Sequence, residues 1–255
     1  MHILLSPSKT LNEQVKIPSL DFTQPHFLKQ AAQLVEILKK FSPSQIQRLM
    51  NVNPKLADLN ALRYLEWGLP FTIENALPAV LMFKGEVYNG LKAETLTDDD
   101  LEFAQEHLRI LSGLYGLLRP LDLIKPYRLE MGAKLKNKRG DDLYQFWGDS
   151  ITNMINEQLK ERKAKCIINL ASDEYFRAIK MERLEAEVIT PQFKDFSGGS
   201  YKFITVYGKK ARGMMARYII TNRLENVDEI KLFDSEGYHF NQSFSDKSTW
   251  VFTRG

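Results

Sequence analysis

Apolar residues in this chain follow two rhythms. His2–Leu5 and Lys165–Leu170 are short, almost continuously apolar and rich in β-formers, the pattern of strands buried on both faces. Each runs directly into a polar turn, Ser6-Pro7-Ser8-Lys9-Thr10 after the first and Ala171-Ser172-Asp173-Glu174 after the second. Glu187–Lys194 and Tyr201–Tyr207 read as strands joined across Ser197-Gly198-Gly199-Ser200, and Thr249–Phe252 reads as a terminal strand. Helical spacing governs Pro25–Phe41, where Phe27, Leu28, Ala31, Leu34, Val35 and Leu38 make one stripe. Further helices are predicted over Ser44–Met50, Pro54–Tyr64, Asp98–Leu111 (acids in its first turn) and Asp141–Arg162, the last broken at Gly148. Strands and helices mix without strict alternation. The expected class is therefore α/β of a mixed, α+β-like kind: a central mixed sheet flanked by helices. No internal repeat or long Ser/Gly linker divides the chain, so one unit over residues 1–255 is expected.

The helix following Tyr201 carries the most one-sided chemistry. At about 100° per residue, Ala211, Met214, Met215 and Tyr218 share one arc, opposite Lys209, Lys210, Arg212, Arg217 and Arg223. Tyr201–Arg223 holds six cations and no acid, and Lys125–Arg139 holds six against the single Glu130, within a chain whose net charge is only +3. Segregated positive charge of this kind suits phosphate neutralisation, with binding that weakens steeply with salt.

The overall composition narrows the setting. No apolar run approaches the roughly 20 residues a membrane span requires, and the N-terminus lacks the basic start of a secretory leader. One cysteine, Cys166, rules out an internal disulfide and fits a reducing compartment, so a cytoplasmic location is expected. Cys166 itself lies in an apolar strand and reads as an inert core residue.

Motif by motif, familiar catalytic signatures fail. Gly85–Lys92 imitates a phosphate-binding loop, but the lysine falls one place late and Ala93 stands where a magnesium-binding Ser or Thr belongs. There is no G-x-G-x-x-G, and with four histidines and a lone Glu-x-x-His at 236–239, neither a metal nor another cofactor is expected. Ile110–Gly132, ILSGLYGLLRPLDLIKPYRLEMG, is the most unusual stretch. Gly113 and Gly116 approximate the glycines of a helix-hairpin-helix, one residue too far apart, and their backbone amides could hold a phosphate beside Arg119, Lys125 and Arg128. For an enzyme, the candidate groups are Ser6, Lys9, Asp122, Glu130, Asp173 and Glu174, although Asp122 and Asp173 equally suit turn and helix caps.

Several phrases together point further: ILLSPSKTL at 3–11, FKGEVYNGL at 83–91, HLRILSGLYGLLRPLDLIKPYRLEMG at 107–132, DLYQFWGD at 142–149, INLASDEYF at 168–176, YGKKARGMMARYII at 207–220 and FDSEGYHF at 233–240. In order and content they resemble the YaaA family of bacterial peroxide-stress proteins from end to end. The resemblance implies a cytosolic protein that limits unincorporated intracellular iron, with a mixed α/β fold, a positively charged cleft, a helix-hairpin-helix and DNA-binding ability; it implies no catalytic residue. The matching basic positions are Lys9, Arg119, Lys125, Arg128, Lys209, Lys210, Arg212 and Arg217. With Gly113, Gly116 and Arg223 they form the expected surface for double-stranded DNA, contacted mainly through its backbone. The alternative is an enzyme acting on nucleic acid or a phosphorylated, nucleotide-like substrate in the same cleft.

Overall fold

The computed structural model describes residues 1–255. Its main sheet contains β1 (His2–Leu5), β2 (Leu108–Ser112), β3 (Gly116–Leu118), β4 (Cys166–Leu170), β5 (Glu187–Ser197), β6 (Ser200–Lys202), β7 (His239–Phe240) and β8 (Thr249–Arg254). The spatial order is β7-β8-β5-β4-β1-β2-β3, with β6 folded back on β5. β1 pairs in parallel with β2 on one side and β4 on the other, and β4–β5 and β5–β8 are also parallel. β3, β6 and β7 are the antiparallel additions. Every residue of β1 and β2 is buried, as strands covered on both faces should be. The chain moves from β1 to β2 and later returns to lay β4 on β1's other flank, so the strand order reverses between β1 and β4.

The helices are α1 (Leu28–Leu38), α2 (Pro43–Met50), α3 (Pro54–Glu66), α4 (Ala79–Met82), α5 (Glu86–Leu91), α6 (Asp98–His107), α7 (Leu143–Trp147), α8 (Ser150–Glu161), α9 (Asp173–Phe176) and α10 (Thr205–Thr221). The predicted break at Gly148 separates α7 from α8, with Gly148 at φ 49°. Ser42 closes a capping box on α2: its hydroxyl accepts from Gln45 N, and the Gln45 side chain returns to Ser42 N. Ser42→Ala should lower stability by about 1 kcal/mol, read as a shift in the urea midpoint. The apolar core is one cluster of 68 buried residues running from Met1 to Phe252.

Three sequence expectations are corrected here. The helix predicted over Asp98–Leu111 stops at His107, and Leu108–Leu111 belongs to strand β2. A short run that is buried throughout, Arg109 included, shows neither periodicity, and pairing with Ile3–Leu5 decides for the strand. Consequently Gly113 and Gly116 do not follow a helix. They bracket a buried β-hairpin in which Ser112 pairs with Gly116, so this stretch is not a helix-hairpin-helix. A Cβ on Gly113 would lie 2.2 Å from Leu129 O, and one on Gly116 (φ +71°) 2.8 Å from the Trp147 ring; both glycines serve close packing. Finally, the strand predicted over Tyr201–Tyr207 ends at Lys202, and α10 begins at Thr205.

α10 buries Ala211, Met214 and Met215 as its stripe requires. Its other side is not open, because α5 packs directly upon it. Ideal Cβ atoms would lie 2.1 Å from Lys210 O if built on Gly90, and 1.7 Å from Val87 O if built on Gly213. The two backbones therefore touch through paired glycines.

Candidate functional site at the carboxyl edge of the sheet

Because β1, β2 and β4 are parallel, the turns that follow them emerge along one edge of the sheet. In open α/β sheets, ligands bind outside that edge, where the strand order reverses. Here the reversal lies between β1 and β4, and their following residues meet: Ser172 N donates to Ser6 Oγ at 2.9 Å, and the two hydroxyls are 3.2 Å apart. The Tyr88 hydroxyl, carried on α5, donates to Ser6 O at 3.1 Å. Burial raises its pKa well above the ordinary tyrosine value.

The 127–138 segment lies against this edge. Ser112, at the end of β2, bonds the Tyr127 hydroxyl at 2.6 Å. From Tyr127 to Leu135 the odd-numbered residues are buried, while Gly132, Lys134 and Lys136 are exposed and Arg128 and Glu130 are partly buried. Glu130 Oε1 is held by Lys9 Nζ at 3.2 Å and Arg128 Nη2 at 3.0 Å. Glu130 Oε2 is buried and has no hydrogen-bond partner. Gly132 N donates to Glu174 Oε1 at 3.0 Å, tying the segment to the turn after β4. From α10, the half-buried Arg212 approaches Asp173. Burial lowers the guanidinium's pKa, and the Asp173 charge partly offsets that.

This arrangement divides the residues singled out from sequence. Lys9 and Arg128 meet at Glu130, and Arg212 approaches the same edge through Asp173. Arg119 and Asp122 sit elsewhere. β3 carries the chain back along β2, so Arg119 reaches the amino edge, lining with Arg109 a cavity of about 120 Å³. There Arg119 N and Nε donate to the Asp122 carboxylate, which caps this turn. Lys125 donates to Glu66 O at 3.5 Å and stands over the Phe71 ring.

The α10 cations do not form a free face. Lys210 pairs with Glu236, and Arg217 Nη1 donates to Leu91 O, Lys92 O and Thr95 Oγ1. Arg223 lies beyond the helix at φ 48°, near Asp99 and Asp100. Only Lys209 is exposed without a partner. The expectation of five cations opposite the buried stripe is thus corrected: α5 occupies the side that carries Lys210 and Arg217. The glycine at 213, on that same side, was the sequence signal.

The basic run Lys125–Arg139 also contains Lys134, Lys136 and Lys138, which lie outside the surface expected from the sequence. All three are exposed, and none makes an ion pair or hydrogen bond within the chain. Lys138 also joins Lys29 and Lys40 around a groove of about 370 Å³ that contains one acid, Glu36. Elsewhere, no group of three or more His, Cys, Asp or Glu side chains is arranged to hold a metal ion. Burial pushes the Cys166 thiol up to about 11, consistent with an unreactive side chain. No helix is long and apolar enough to cross a membrane.

A family model described as peroxide stress protein YaaA matches residues 1–244. A UPF0246 protein from Aliivibrio fischeri (strain ATCC 700601 / ES114) is 51% identical over 254 residues, covering 100% of this chain and 98% of the relative. Another, from Hahella chejuensis (strain KCTC 2396), is 52% identical, covering 100% of this chain and 99% of the relative. The chain belongs to the YaaA family of peroxide stress proteins.

Proposed function

We propose that, within the peroxide-stress role of its family, this protein binds double-stranded DNA through phosphate contacts with little sequence preference. The observation that carries this reading is the row Lys134, Lys136 and Lys138, whose charges nothing in the chain neutralises. A cation already paired to a carboxylate must lose that partner before it gains a phosphate. An unpaired, exposed lysine releases only counterions from the DNA, which is favourable at low salt. Lys29 and Lys40 around the neighbouring groove extend the positive surface, and Lys209 adds a further free charge on α10. Lysines recognise phosphate as point charges, so they position a duplex without reading its bases.

The test is fluorescence anisotropy of a labelled duplex across a salt series. The triple variant K134A/K136A/K138A should bind more weakly to every duplex sequence. Its slope of log K against log salt should fall by about 3, close to one for each phosphate that the variant no longer neutralises. Because these side chains are exposed and make no hydrogen bond or ion pair in the fold, its urea midpoint should match that of the wild type. No binding at low salt, or wild-type behaviour from the triple variant, would sink the proposal.

A further inference from the structure

The carboxyl edge holds two bonding capacities that the chain leaves unmet, and they are opposite in kind. Glu130 Oε2 is buried without a donor, although Oε1 of the same carboxylate has two cations. A buried acceptor left unpaired is destabilising, and a ligand's N–H would remove that cost. Arg212 is the complement: a half-buried guanidinium that makes no hydrogen bond or ion pair within the chain. Its planar fork of donors matches the oxygens of a phosphate or carboxylate. Near enough for its charge to act on Arg212, Asp173 is exposed and has no side-chain hydrogen bond of its own, so it stands as an acceptor for a hydroxyl group.

These groups flank the β1–β4 reversal, and Ser6, Ser172 and the Gly132–Glu174 bond fix the backbone around it. Access to Oε2 requires a neighbour to move. Lys9 is the side chain free to do so, being 62% exposed and held only by its ion pair to Glu130. A ligand meeting all three demands has an anionic group for Arg212, a hydroxyl for Asp173 and an N–H edge for Glu130.

We propose that the carboxyl edge beside the turns after β1 and β4 binds a nucleoside phosphate. Its phosphate lies on Arg212, its sugar hydroxyl on Asp173 and an N–H of its base on Glu130 Oε2, with Lys9 displaced toward the phosphate. The same chemistry is offered by a free nucleotide and by the phosphorylated end of a strand. The site uses none of Lys134, Lys136 and Lys138, so it does not depend on the duplex-binding reading.

Calorimetric titration of the full-length protein with the purine and pyrimidine nucleoside 5′-monophosphates tests this proposal, with the parent nucleosides, inorganic phosphate and glycine as comparisons. At least one monophosphate should bind with Kd below about 1 mM, more tightly than any comparison compound. Glu130→Gln should weaken that nucleotide about tenfold through loss of a charge-assisted bond while leaving inorganic phosphate unchanged. Arg212→Lys should weaken both. K134A/K136A/K138A should bind the nucleotide as the wild type does, which separates failure here from failure of the duplex reading. A parallel titration with a 5′-phosphorylated trinucleotide identifies the source: sensitivity to Glu130→Gln in that arm alone assigns the site to strand ends, and in the monophosphate arm to free nucleotides. Thermal unfolding establishes that each variant is folded. The proposal is overturned if neither arm binds, if glycine binds more tightly than every nucleotide, or if folded Glu130→Gln and Arg212→Lys proteins bind as the wild type does.

Discussion

Gly213→Ala should destabilise this protein by about 3 kcal/mol or more, the upper range for overpacking a filled contact. Two effects compete. Alanine is the better helix former by about 1 kcal/mol, so in an open helix the change would stabilise. Here the added methyl would lie 1.7 Å from Val87 O and 2.8 Å from Leu91 N. Both are backbone atoms of α5 or its end, and no rotamer change moves them away. α5 must shift bodily, and with it Tyr88, whose hydroxyl supports the turn after β1. The steric term therefore wins. Gly68, whose added Cβ would meet nothing within 4 Å, is the control: Gly68→Ala should leave the urea midpoint nearly unmoved. A Gly213→Ala protein as stable as the wild type would mean that the two helices do not approach this closely.

Acid should destabilise the protein through His2 well before the carboxylates are protonated. The ring is 1% exposed, with Nδ1 3.4 Å from His107 O and Nε2 lacking any partner. Burial, then the nearby Arg109 charge, pushes its pKa down to about 3, against about 6.5 in an unfolded chain. Between these values the unfolded state binds the extra proton, so stability rises with pH across that window. The contribution is complete above the unfolded value and is lost as pH falls toward the folded one. About 2 kcal/mol should be gone by roughly pH 5 and about 4 by roughly pH 3.5. His107, its pKa also lowered by burial, acts in the same direction. His2→Gln should reduce the pH slope of the urea-derived stability by close to one proton. Parallel wild-type and His2→Gln curves over this range would show that another group is responsible.

The sequence disclosed elements whose periodicity was unambiguous. β1, β4, α1 and the break at Gly148 follow from apolar spacing and a glycine, and the polar turns after β1 and β4 marked the edge where polar groups gather. Leu108–Leu111 was not legible, because a fully buried run carries no period. The face of α10 was misleading for a related reason: a helical wheel shows which residues are charged but not what packs against them. Arg217 serves α5's carbonyls, a role visible only when Gly213 is placed against Val87. The polar groups at this edge come from Lys9, the Arg128–Gly132 segment, Asp173–Glu174 and Arg212, and no local spacing brings four such separate segments together. Ser6, Glu130, Asp173 and Glu174 stood out as residue types, but it takes the parallel register of β1 with β4 to join Ser6 to the turn at 172–174, and the Lys9 ion pair and Gly132–Glu174 bond to bring in Glu130.

The sheet's outer strands have a consequence for self-association. β3 offers three residues at one margin and β7 two at the other. A strand from a second molecule could align with only a few free amides and carbonyls, too few to template a growing stack. The vulnerable row lies one layer in, on β2, where β3 pairs with Ile110, Leu111 and Ser112. Loosening of the Gly113–Gly116 hairpin, rather than global unfolding, is thus the event that would turn this molecule into an aggregation seed.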